Sequence, residues 1–217
     1  MTEQTDRRLS EEAYDRLTRH ILAGALPAGT PIQERPLSEE LGLSRTPMRD
    51  ALLLLEGEGI LERDGKRLRV MTMDISRYME NLAIRRLLEC EAARLAAGRM
   101  DPSELDAMEV ELQRLLALHR AGAELGRAEV RRIDERLHSA MAAAAGNAQL
   151  GEIVAGLRMK THLFDLRSLP ERFLETCEEH LAILAALRGG DPAAASAAVD
   201  RHITAIRAAI IARLLPR

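Results

Sequence analysis

The 217-residue sequence predicts a mainly α-helical protein in two unequal parts, with one small β-hairpin in the first. Three observations carry this. Residues 34–57 hold two short helical patterns separated by a glycine, and the segment up to Val70 holds two short extended runs around Asp64-Gly65. From about Ser76 onward, apolar residues recur at helical spacing with no convincing strand.

The first short helix has Leu37 and Leu41 four apart on one face, and Gly42 suits the left-handed turn that ends it. Ser44 is a good N-cap for the second helix, and Pro47 is tolerated in a first turn. Met48, Leu52 and Leu55 fall on the inward side. Arg45 and Arg49 share one face near the N-terminus, and no acidic residue lies between Leu41 and Arg49, so this tip is locally positive. That is the layout of a helix-turn-helix whose second helix enters the DNA major groove. An ordinary αα-hairpin with two solvated arginines has the same local pattern.

After Gly59-Ile60-Leu61 come the two extended runs and their turn, with Arg63, Lys66, Arg67 and Arg69 about the tip. These cations suit phosphates or a minor groove. A charged surface hairpin is the plainer alternative, but the position directly after the helix pair is that of a wing.

Residues 9–72 resemble the winged-helix domain of the GntR family of bacterial transcription regulators. The matching residues are Ile21, Gly24, Leu26, Pro27 and Gly29, then Glu34, the run Leu41 to Leu52, Glu56 and Gly59. The resemblance implies that Arg35, Arg45, Thr46, Arg49 and Gly65 contact operator DNA. With the cap Ser44 and the wing Lys66, they form the expected DNA-binding set. Asp50 stands where the family usually has glutamate, and the wing tip carries Asp64 and fewer glycines than usual.

Composition agrees with a regulator of two modest domains, 1–72 for DNA and 73–217 for control. Apolar residues make up 47% and aromatics 2%, so the cores must be built from Leu, Ala, Ile and Met. The formal charge of −3 argues against a protein that coats nucleic acid. Residues 1–72 themselves hold 11 Lys and Arg against 13 Asp and Glu. DNA affinity must therefore come from a local basic face, which predicts salt-sensitive, specific binding. Cys90 and Cys177 lack metal-type spacing and read as reduced thiols. No apolar leader opens the chain, and Arg207 and Arg213 interrupt its most apolar stretch. The expectation is a soluble, cytoplasmic protein without membrane contact.

The second part divides into six helices at about 76–98, 102–121, 126–145, 147–167, 170–188 and 191–214. Their limits are marked by Gly98, Asp101-Pro102, Gly122, Gly126, Gly146-Asn147, Pro170 and Gly189-Gly190-Asp191-Pro192. Short connectors make this an antiparallel bundle.

Four residues in it stand out chemically. Asp134 and His138 are four apart and share a helical face. His180 and His202 lie on the last two helices, and the midpoint of their numbers falls in the Gly-Gly-Asp-Pro turn. In an antiparallel hairpin the two imidazoles therefore meet at one height. Three imidazoles and a carboxylate suit a divalent ion, zinc first, with nickel, iron or manganese as alternatives. The plainer reading is an exposed Asp134–His138 pair, a solvated His180 and a His202 engaged with Asp200 or Glu179.

The chain is similar here to the FadR-type (FCD) branch of the GntR family, through Asp134 to Asn147 and Glu179 to His202. In that branch the Asp, His, His, His set often surrounds a metal. Leu137 replaces a common phenylalanine. The branch also implies an effector-facing role for Arg85, where a guanidinium can hold a carboxylate, against a plain pair with Glu89. Ala83 stands where glutamate is frequent, which alters the pocket polarity. Arg158 and His162 are further candidates for the cavity wall.

The resulting expectation is a homodimeric regulator, not an enzyme. It reads a palindromic operator with recognition helices one DNA turn apart, ~34 Å, and a small carboxylate at the metal and Arg85 controls it. A regulator sensing the ion itself and a metal-dependent hydrolase are the competing expectations. The hydrolase lacks an obvious general base beside the ligands.

Overall fold

The computed structural model describes residues 2–163 and 172–214. Its contacts divide the chain into two compact units, Met1–Ile75 with Met159–Asp165 and Ser76–Arg158 with Leu166–Arg217. Among the described residues, no helix is long and apolar enough to cross a membrane.

The first unit opens with α1 (Thr2–Leu22) and continues with α2 (Glu34–Leu41), α3 (Arg45–Gly57), β1 (Leu61–Asp64) and β2 (Arg67–Val70). Ala13, Leu17 and Ile21, each four apart and essentially inaccessible, give α1 one apolar face that packs on α3. From α3 the same core receives Met48, Ala51, Leu52 and Leu55, the inward face that the leucine spacing predicts. Gly42 ends α2 with φ 63°, in the left-handed region where a side chain would strain. Ser44 occupies the N-cap of α3, though its side chain makes no capping hydrogen bond.

The hairpin pairs Leu61 with Val70 and Asp64 with Arg67. Its two-residue loop is therefore Gly65-Lys66, one position later than an Asp-Gly turn, because Asp64 is still a paired strand residue. Gly65, at φ 62°, supplies the left-handed first position that such a loop needs. The chain before α2 also joins this sheet. Pro31 bridges Arg69, and Ile32 N–H donates to the Leu68 carbonyl at 2.8 Å.

The remaining helices, which the second unit holds except for Ile75 and the residues from Met159 on in α7, are α4 (Ile75–Ala96), α5 (Pro102–Arg120), α6 (Arg127–Ala144), α7 (Ala148–His162), α8 (Phe173–Gly189) and α9 (Pro192–Leu214). The six expected helices are present with shifted ends. The proposed limits at 167 and 170, with Pro170, lie outside the described residues. Asp101 caps α5 by accepting from Ser103 N–H at 2.8 Å, and Asp191 caps α9 by accepting from Ala193 N–H at 2.9 Å. The core stacks aliphatic rows at three- and four-residue spacing. They include Leu105, Met108, Leu112 and Leu115 of α5 and Ile183, Leu184 and Leu187 of α8. Helix α8 packs on both α5 and α9. Only Gly190 and Asp191 separate α8 from α9, so the last two helices double back on each other.

Candidate metal centre and DNA-reading face

On the first unit, Ser44, Arg45, Thr46 and Arg49 are exposed while Pro47 and Met48 are buried. Helical periodicity thus turns the hydroxyls and arginines outward from the start of α3. Arg49 Nε donates to both Glu34 carboxylate oxygens at 2.9 and 3.2 Å, and Arg35 Nε to Glu39 Oε1 at 3.1 Å. The Arg49 and Arg35 side chains are 68% and 77% exposed, so water weakens both pairs and leaves the guanidiniums available to a stronger anion.

The wing cations divide into two groups. Arg63 donates to both oxygens of Glu56, at 2.6 and 2.9 Å, and ties β1 to α3. Arg69 lies directly opposite Glu62 in the strand register and pairs with it at 3.1 Å, and with Asp64 at 3.3 Å. These two arginines are paired within the wing and with the helix beside it. Lys66 and Arg67 are exposed at the tip and form no ion pair among the described residues. A groove of about 680 Å³ runs between α3 and the wing, lined by Glu34, Arg49, Glu56, Arg63, Lys66 and Arg67.

In the second unit, Asp134 and His138 project from α6 beside the buried row Ile133, Leu137 and Met141. His180 falls on the inward stripe of α8 with Cys177, Ile183 and Leu184, and His202 on that of α9 with Val199 and Ile203. The three imidazoles are 0 to 2% exposed. The ring centroids of His180 and His202 are 4.7 Å apart, as the hairpin symmetry requires, and His138 lies 5.7 and 5.4 Å from them. One ligand atom from each of Asp134, His138, His180 and His202 lies within 4.8 Å of every other. Asp134 Oδ1 is 3.4 Å from His180 Nε2 and 3.8 Å from His138 Nε2. The buried Nε2 atoms of all three histidines lack a well-formed hydrogen bond. His180 is therefore not solvated, and Asp134 and His138 are not an exposed pair.

Charges surround this cluster. Glu89, fully buried on α4, accepts from Arg85 Nε at 2.6 Å through Oε1. Its Oε2 lies 2.5 Å from His138 Nδ1 and 3.5 Å from Arg158 Nη1. Arg158, 1% exposed on α7, donates to Asp134 Oδ2 at 2.6 Å. His202 Nδ1 is hydrogen-bonded to Glu179 Oε2 at 2.8 Å, and Arg172 pairs with the other Glu179 oxygen. Asp200 instead pairs with Arg86.

Burial pushes the Asp134 and Glu89 carboxyls up, but neighbouring charge outweighs it and holds both well below the usual carboxylate range. For Asp134 the main opposing charge is Arg158, and for Glu89 it is Arg85 followed by His138 and Arg158. Burial and the Arg158 charge lower His138, and burial with the two neighbouring imidazoles lowers His202 well below its ordinary value. These directions favour the neutral imidazole at His138 and His202 and the ionised carboxylate at Asp134, the forms in which such groups bind a divalent ion. The residues fit such an ion: three buried imidazoles and a carboxylate bring one ligand atom each within 4.8 Å of every other, a donor set that suits a divalent metal.

Arg85 points inward but engages Glu89, the plainer partner its spacing offered. His162 is half-buried at the end of α7. Sequence reasoning missed Glu89 as a centre of the network and Arg158 as the partner of Asp134, whereas the Glu179–His202 contact is one that its plainer reading offered. For Glu89 a signal existed. It continues the inward row Tyr78, Leu82 and Arg85 toward Ala92 and Ala96, so helical phase alone places it inside.

Comparison with known proteins agrees with both halves. Residues 9–68 match the family described as bacterial regulatory proteins, gntR family, and residues 80–205 match the FCD domain. The chain belongs to the GntR family of bacterial transcription regulators, in the branch with an FCD domain, and is a DNA-binding regulator. Among its relatives, the HTH-type transcriptional repressor RspR of Escherichia coli K12 is 26% identical over 205 residues, covering 91% of this chain and 87% of the relative. The Glc operon transcriptional activator of the same organism is 30% identical over 161 residues, covering 66% and 63%. The solved structure of E. coli McbR/YncC shares the fold, with a TM-score of 0.80 at 22% identity over 95% of this chain and 99% of that one.

Proposed function

We propose that residues 1–72 read a palindromic operator and that residues 73–217 form the dimer and bind the effector. Operator affinity is then set by a small organic acid held at a divalent metal. Arg35, Ser44, Arg45, Thr46, Arg49, Gly65 and Lys66 face the DNA. Asp134, His138, His180 and His202 hold the ion, zinc first in preference, with nickel, iron or manganese able to use the same donors. The ion supplies a Lewis-acidic centre with positions for a carboxylate.

The observation that carries this reading is the convergence of three buried imidazoles on Asp134, with one ligand atom from each of the four residues within 4.8 Å of every other. Arg85 lies one residue away from the cluster through Glu89, which touches both Arg85 and His138. An acid that competes for the Arg85 guanidinium therefore perturbs a carboxylate in contact with a metal ligand. A differential affinity of about 1–3 kcal/mol between two dimer arrangements is enough for a roughly 5- to 150-fold change in operator binding.

Metal analysis of the purified full-length protein tests the first half. One divalent ion per chain is expected in the parent, and none in His202→Ala that retains its helical circular dichroism. A parent protein that takes up none of zinc, nickel, iron or manganese refutes the reading.

A further inference from the structure

Two of the four candidate ligands, His202 and Asp134, are hydrogen-bonded from behind, and a third, His138, has a carboxylate close against its outer nitrogen. His138 Nδ1 lies 2.5 Å from Glu89 Oε2, His202 Nδ1 is 2.8 Å from Glu179 Oε2, and Asp134 Oδ2 accepts from Arg158 Nη2 at 2.6 Å. In each case the held atom is the one facing away from the cluster, and the other donor atom of the same residue faces in. The three outer partners come from α4, α8 and α7, and Glu89 and Arg158 are themselves almost wholly buried.

We propose that Glu89, Glu179 and Arg158 are positioning residues of the metal centre, fixing His138, His202 and Asp134 with Nε2, Nε2 and Oδ1 turned inward. The role rests on reading the cluster as a metal site. A neutral imidazole offers a lone pair from one nitrogen only when the other carries the proton, and a carboxylate at Nδ1 keeps the proton there. Glu89 and Glu179 thus select the same tautomer on two histidines from different helices. Arg158 does the equivalent for Asp134: by holding Oδ2, it fixes the carboxylate with Oδ1 toward His180 and His138. Glu89 also links the centre to Arg85, so the carboxylate that sets the His138 ring is shared with the proposed effector arginine.

The closing experiment uses full-length, ¹⁵N-labelled, metal-free protein. Long-range ¹H–¹⁵N correlations at neutral pH should show His138 and His202 protonated at Nδ1. Glu179 is partly exposed, so its variants spare the buried core. Glu179→Ala should abolish the tautomer preference of His202 and weaken zinc binding about 10- to 100-fold. Glu179→Gln, whose amide oxygen can still accept from Nδ1, should keep the tautomer and recover part of the affinity. A His202 protonated at Nε2 in the parent, or zinc affinity unchanged in Glu179→Ala, overturns the positioning role. A protein with the expected tautomers that binds no divalent ion overturns the metal reading, and the role with it, through a different observable.

Discussion

Arg49→Ala is expected to weaken operator binding by about 1–3 kcal/mol per recognition helix, roughly 5- to 150-fold, while metal content and helicity stay at parent values. Arg49 projects from the exposed face of α3 and leans only on Glu34, which is itself near the surface. Its removal opens no cavity and orphans no buried charge. The guanidinium is the group that can take a base edge or phosphate in bidentate fashion, so its loss falls on DNA binding. Fluorescence anisotropy on an operator selected with the parent protein measures the effect. Concurrent loss of metal and fold would contradict the proposed division of labour between the two parts of the chain.

Glu89→Ala is expected to have the opposite profile, with a loss of about 3–5 kcal/mol in the stability of the metal-free protein. Glu89 is fully buried and touches Arg85, His138 and Arg158. Without it, the buried Arg85 guanidinium loses a charged partner at 2.6 Å, whereas Arg158 keeps Asp134. The second substitution Arg85→Leu should therefore recover part of the loss, because an apolar side chain removes a buried cation that has lost its carboxylate partner. Urea midpoints of the two single variants and the double variant measure the coupling. A Glu89→Ala protein within 1 kcal/mol of the parent, or purely additive effects, would place the charge network outside the folding energetics; the 1 kcal/mol bound is about the size of an average substitution.

The legible parts of this molecule are those governed by local rules. Gly42, the outward Arg45 and Arg49 and the inward Met48, Leu52 and Leu55 all follow from a turn residue and a 3.6-residue period. The meeting of His180 and His202 was readable for a related reason: a two-residue connector fixes the register of a helical hairpin, so sequence arithmetic becomes distance. The contacts of Glu89 were not readable in this way. Its partners His138 and Arg158 come from α6 and α7, and no spacing along one helix sets the rotation of another. The wing illustrates the same limit, since Arg69 meets Glu62 only through the strand register and Arg63 meets Glu56 only through the packing of β1 beside α3. Charged residues that looked interchangeable in sequence thus differ in the partners that the fold gives them.

In the function proposed for this protein, acid and metal act together on operator affinity. Titrating the parent protein onto its operator, metal-free and zinc-loaded, with and without a panel of small mono- and dicarboxylates, tests it most directly. The predicted result is an acid-dependent shift in apparent affinity seen only with zinc, and absent in a His202→Ala protein that still binds the operator. A full shift produced by zinc alone, to which no acid adds, would contradict the claim and identify the ion itself as the signal.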